Sequence, residues 1–255
     1  ADNIFLSKIT TAGDVSVRAD ACMTINAGAV ASTFSLNGTG AITDVLSGDG
    51  AGNENLVAAN LQLTAATGIG TDSNAIDTRV GGVVTRTVVG DIHLDNTNDL
   101  DVLAGFGISF SPAADLNSAV TATSGMVIAT GGADDHLVVQ NRGTITVIGI
   151  VANTGVGNIL LSADTANNDI ALNANVTGSG GHITLMAQND ISQAAVTVLT
   201  TGTGTIIVDA GADTSNSSGT YTMARNAVLS SVNGDIHVKG DQQVTIGRIT
   251  TNADV

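Results

Sequence analysis

Aromatic side chains are almost missing from this 255-residue chain: there is no Trp, one Tyr (Tyr221) and four Phe. Pro and Cys occur once each, as Pro112 and Cys22. Only 12% of residues are charged, against about a quarter in average usage. Each shortage excludes something. One Cys offers no disulfide framework. The scarcity of Lys, Glu and Arg removes the usual surface helix formers. No run of about 18 apolar residues is present to span a bilayer as a helix. Residues 1–8 lack the pattern of a signal peptide.

What remains is small and aliphatic. Hydrophobic residues make up 43% of the chain and Gly occurs 31 times, so a sizeable core must be assembled from Val, Ile, Leu and Ala. Val, Ile and Thr suit a pleated surface. No Pro-rich tract, Ser-rich linker or charge run divides the chain, which reads as one continuous body over 1–255. There are 23 acids against 8 bases, a net charge of −15. Such a chain lacks the basic face that phosphate neutralisation requires, which disfavours nucleic acid as a partner; nothing in the segment suggests insertion into a membrane. The charge reads instead as a device against sideways association.

One short phrase recurs: Gly, any residue, Val or Ile, any residue, Val or Leu. It stands at Gly13, Gly90, Gly143, Gly157, Gly181, Gly204 and Gly234. Each copy is a turn residue followed by strict alternation, the pattern of a short strand with one buried face. In three copies a second apolar pair follows eight residues on: Met23 and Ile25 after Val15 and Val17, Leu100 and Val102 after Ile92 and Leu94, and Val244 and Ile246 after Ile236 and Val238. Asn-Asp pairs precede other strands, as at Asn98-Asp99, Asn168-Asp169 and Asn189-Asp190. Asn and Asp tolerate left-handed backbone and bond their own chain at bends, which suits a solenoid corner.

The later Gly phrases are spaced by 14, 24, 23 and 30 residues. Values in the twenties fit one coil of three short strands, and the value of 14 implies that the phrase can begin more than one face. No segment carries a helical stripe. An antiparallel sandwich would show regular two-residue hairpins and larger buried aromatics. The expected fold is therefore all-β, a right-handed parallel β-helix or β-solenoid. At about 22 residues per coil it would have roughly 11–12 coils and a length of about 50–60 Å.

Residues 6–15 resemble residues 246–255, with five of ten positions identical. Both ends thus break inside the same phrase and read as uncapped. The expectation is an excerpt of a longer repetitive chain, its partners being neighbouring coils of the same or an identical chain.

The stretches Gly157–Ala171, Gly181–Ala195 and Asn60–Leu94 resemble the filamentous-haemagglutinin-like, giant repetitive surface proteins of bacteria. The second contains Ile-Thr-Leu-Met-Ala-Gln-Asn-Asp-Ile, and the third Thr67-Gly68-Ile69-Gly70 with Asn74-Ala75-Ile76-Asp77-Thr78. The resemblance covers most of the chain, but its motifs specify coils rather than chemistry. It implies a right-handed β-helix, export to the cell surface or outside the bacterium, and a structural or adhesive role. Host, neighbouring-cell or matrix surfaces would be its partners, and no active site is implied.

Several residues are candidates for chemistry. Asp49-Gly50-Ala51-Gly52-Asn53-Glu54 approaches the calcium-binding nonapeptide, whose glycines let carbonyls and a carboxylate converge on a hard cation. Asp49, Asn53 and Glu54 are the candidate ligands, and calcium is the only cofactor suggested. One copy supplies about half a site, so a Gly-rich corner loop is the preferred reading; Gly131-Gly132-Ala133-Asp134-Asp135 is a weaker echo. His93, His182 and His237 adjoin inward Ile positions, so alternation points them outward. With His136 they read as scattered surface residues rather than a zinc cluster. Asp99 and Asp101, or Asp134 and Asp135, with Arg79, Arg86 or Arg142, could serve a β-helix polysaccharide lyase or hydrolase. The near absence of Tyr and Trp, on which sugars stack, argues against it, and the chain is expected not to be an enzyme. Cys22 reads as a small filler facing away from Met23 and Ile25. The expected irregular patches are 47–56 and 110–120.

Overall fold

A short strand with one apolar face needs a second apolar face to bury it. In this chain each strand is laddered to the strand one coil earlier, and the inward faces of the sheets so formed bury one another around a single core. The computed structural model describes residues 3–7, 9–25, 28–45, 53–105, 124–132, 135–195, 198–212 and 218–252. Among these there is no helix, and every pairing between named strands is parallel. The strands stack as a β-solenoid of about nine turns.

The first face is traced by one column of stacked residues. It runs from Ile4 through Met23, Ile42, Ile69 and Ile92 to Leu137, and on through Ile159, Ile183 and Ile206 to Ile236. From Met23 to Ile236 every member is 1% exposed or less. The second face carries Leu100–Val102, Ile145–Val147, Ile170–Leu172 and Ile191–Gln193 in register. The third carries Met126–Ile128, Val151–Asn153 and Val176–Gly178. Toward the N-terminus the second and third faces merge into long strands, Thr33–Gly38, Leu56–Ala65 and Ile76–Thr87. Ile76–Thr87 pairs with Leu100–Val102 through 82–83 and with Met126–Ile128 through 85–87.

Coil length varies, from 19 residues (Ile4 to Met23) to 45 (Ile92 to Leu137). That is why the count is about nine rather than the 11–12 expected from a uniform 22-residue coil. The interval of 14 has its explanation here. Gly143 opens a strand of the second face and Gly157 one of the first. The N-terminal phrase is out of phase with its relatives. Val15 and Val17 stack on Phe34 and Leu36 of the merged strands, whereas Ile92 and Ile236 lie on the first face.

The recurring glycine is imposed by the corner before the first face. A Cβ on Gly181 would lie 2.1 Å from the carbonyl oxygen of Gly157. One on Gly204 would meet Gly181 at 2.1 Å, and one on Gly234 would meet Gly204 at 2.1 Å. The backbones are stacked closer than any side chain allows.

At the corner before the second face, side chains bind one coil to the next. The N–H of Thr144 donates to Asp99 Oδ1 (2.8 Å), that of Asp190 to Asp169 Oδ1 (3.0 Å) and that of Thr220 to Asp190 Oδ1 (2.8 Å). Asn167 is the one non-glycine among the described residues with positive φ (68°), on the same bend.

Polar pairs also enter the core. Asn96 Nδ2 donates to Asn141 Oδ1 (3.0 Å), and both side chains are buried at inward positions of the first face. Gln193 occupies an inward position, where its Oε1 accepts from Tyr221 Oη (2.8 Å) and its Nε2 donates to the carbonyl of Val228 (3.1 Å). Burial pushes the Tyr221 phenol well above its ordinary pKa. Cys22 is a half-buried free thiol packed beside Gly40, consistent with a filler.

Gly181→Ala should destabilise the chain by about 1–3 kcal/mol through overpacking of the corner. Gly13→Ala, where a Cβ meets only Thr11 Oγ1 at 3.7 Å, should change little. Paired urea unfolding curves measure both.

Candidate functional site

Outward positions on the first face form a column of their own. Val138, Leu160, Thr184, Ile207 and His237 stack in register across five coils. With His136, Asn158, His182, Met186 and Thr205 they line an open trough of about 670 Å³. Its walls are mostly apolar, and Ile207 and Met186 are 38% and 36% exposed.

Two of its histidines are structural. The N–H of Asn158 donates to His136 Nδ1 (2.9 Å), and that of Thr205 to His182 Nδ1 (3.0 Å). Between them the N–H of His182 donates to Asn158 Oδ1 (2.9 Å), and at one end the N–H of His136 donates to Asp91 Oδ1 (2.5 Å). Asp91, His136, Asn158 and His182 thus hold equivalent positions, each accepting from the corner of the next coil. Both rings must be unprotonated at Nδ1 to do this. His237 is exposed, as alternation predicts.

His93 departs from that expectation. It points outward between Ile92 and Leu94, yet it is only 4% exposed. An excursion from the preceding coil folds over it. Gly70, with φ at +67°, lies so near that a Cβ would come within 2.5 Å of the His93 carbonyl oxygen. Thr71 and Asn74 then close a tight turn by reciprocal backbone hydrogen bonds of 2.9 and 3.1 Å. Asp72 at the tip brings Oδ1 to 3.1 Å from His93 Nε2, and Asp91 Oδ2 stands 3.7 Å from the same nitrogen. Neither carboxylate meets Nε2 in hydrogen-bond geometry. Burial is the largest influence on the ring and lowers its pKa, outweighing the two carboxylates, which raise it. Alternation alone could not reveal the cover, because it comes from a different coil.

The remaining candidates are dispersed. Asp49, Asp134 and the patch 110–120 lie outside the described residues, as does most of 47–56. Asn53 is exposed, and Glu54 Oε1 faces Arg79 Nε at 3.5 Å while accepting from Thr97 Oγ1 at 3.3 Å. That carboxylate already has a cation beside it. Asp99 and Arg142 are brought together: with Asn98 and Asn168 they line a polar recess of about 420 Å³. There Asp99 Oδ1 is held by Thr144, and Arg142 Nη2 lies 3.5 Å from Asp95. Asp101 is half-buried on the second face and Arg86 is exposed on the third. Asp135 Oδ2 accepts from the N–H of Gly132.

No family model, no curated protein and no solved structure matches the chain.

His182→Val should lose about 1 kcal/mol of stability by stranding the Thr205 N–H. His182→Asn, which reproduces the acceptor used at Asn158, should restore most of it. Chemical denaturation of the two variants beside the parent chain measures the difference.

Proposed function

We propose that the chain is a stalk segment, a structural and adhesive rod within a repetitive bacterial protein that is exported or surface-displayed. The observation that carries this reading is the continuity of the stack. One aliphatic core passes through about nine coils, and from Asp91 to Thr220 side-chain ladders at two corners tie successive coils together. At about 4.8 Å per coil, the body extends roughly 40–45 Å, with length growing in proportion to the number of repeats. Its acidic surface favours extended, separate rods over lateral bundles. Adhesion would fall to the outward columns and the excursions, which vary without disturbing the core.

A head-to-tail filament is the second reading: the parallel, in-register ladder that joins coil to coil could equally join separate copies of the chain.

Size-exclusion chromatography with negative-stain imaging over a rising concentration series separates the two. The stalk reading predicts discrete short particles at every concentration; uniform long fibres would replace it with the filament. Turnover of polygalacturonate would overturn both in favour of a lyase.

A further inference from the structure

The excursion over His93 carries more polar chemistry than a corner loop requires. A buried imidazole nitrogen with no hydrogen-bond partner faces two carboxylates from different coils. The arrangement is built on both sides. Asp91 is oriented by its other oxygen, Oδ1, which accepts the N–H of His136; this leaves Oδ2 turned toward His93. Asp72 is presented by the closed Thr71–Asn74 turn, with its side chain 80% exposed. A hydrogen bond to the far oxygen of a carboxylate, or a closed turn beneath it, aims such a ligand at a metal.

We propose that Asp72, Asp91 and His93 form a binding site for a divalent transition-type cation, of which Zn²⁺ is the natural probe, pinning the 70–75 excursion to the neighbouring coil.

The distances agree with that assignment. Zn²⁺ binds His nitrogen and carboxylate oxygen at about 2.0–2.2 Å, so two ligands of a tetrahedral site lie about 3.3–3.5 Å apart. The separations of 3.1 and 3.7 Å from Nε2 bracket this value, and all three donor atoms lie within 4.8 Å of one another. Three protein ligands leave the fourth position to water, on the side where Asp72 is open to solvent. The donor set also selects the ion. Calcium wants six to eight oxygens, whereas one imidazole with two carboxylates suits a borderline cation. The site is separate from the Asn53–Glu54 region, where the carboxylate is engaged by Arg79. It does not depend on the stalk reading, since the same coils would form in a rod or a filament.

The test is isothermal titration of the whole chain with Zn²⁺, paired with thermal melting in the presence and absence of the ion. Asp72→Asn is the principal variant, because Asp72 is exposed and its loss should leave the coils intact. His93→Ala is the second, checked for folding by circular dichroism. The proposal predicts one equivalent of Zn²⁺ bound by the parent chain and a raised melting temperature. It also predicts at least a tenfold loss of affinity in Asp72→Asn, with the metal-free melt little changed. Failure of the parent chain to bind Zn²⁺ at micromolar concentration would overturn it. So would undiminished binding by Asp72→Asn, which would place the ion on the other histidines.

Discussion

Each coil is held by the backbone ladder of the coil before it, and that ladder is parallel and in register. This one constraint fixes most of what the side chains must be. A residue facing inward sits directly over its counterpart, so a column admits only side chains that fill the same space. Ile159, Ile183, Ile206 and Ile236 satisfy this by near identity. Where a polar residue enters, it needs a partner inside the stack: Tyr221 of the next coil supplies a hydroxyl to Gln193, and backbone groups satisfy Asn153. A corner has a harder task, because the ladder is interrupted there and N–H groups lose their regular acceptors. The chain answers with carboxylates, amides, a threonine hydroxyl and imidazoles at equivalent positions, each bonded to the coil above.

These requirements are local, so much of the fold was legible in the sequence. The Gly-x-Ile-x-Val phrase records the corner where backbones touch and the alternation that follows it. The Asn-Asp pairs record the second corner, although the expected partner was the chain's own bend and the observed partner is the adjacent coil. Other features were hidden because they depend on registers between coils. A uniform 22-residue period overstated the number of turns, since excursions lengthen some coils and leave the columns undisturbed. The phrase at Gly13 looks like the phrases at Gly90 and Gly234, yet it runs along the merged strands of a different face. Alternation places His93 outward correctly, but only the three-dimensional path of residues 70–75 buries it. The same applies to Asp72 and Asp91, which are 19 residues apart in sequence and meet through stacking.

A division of labour follows. The columns provide length and rigidity, and they tolerate little change. The outward column from Val138 to His237 and the excursions lie outside that constraint, so recognition and ion binding can be placed there without cost to the stack. The trough over the first face combines both: its floor is an apolar outward column, and its rim is the histidine ladder that joins the coils.

The in-register stack can be tested by measuring a distance across it. Gln140 and Lys239 are both exposed and belong to one outward column, joined through Ser162, Met186 and Asp209. They are four coils apart, so their backbones should be separated by about 19 Å, although the two positions are 99 residues apart in sequence. Spin labels on cysteines at these two positions, with Cys22 replaced by Ser, allow this to be read by pulsed dipolar spectroscopy. A narrow distribution near that spacing, broadened only by the label arms, is the result the stacked register predicts. A broad distribution, or a narrow one displaced by several coils, would contradict it.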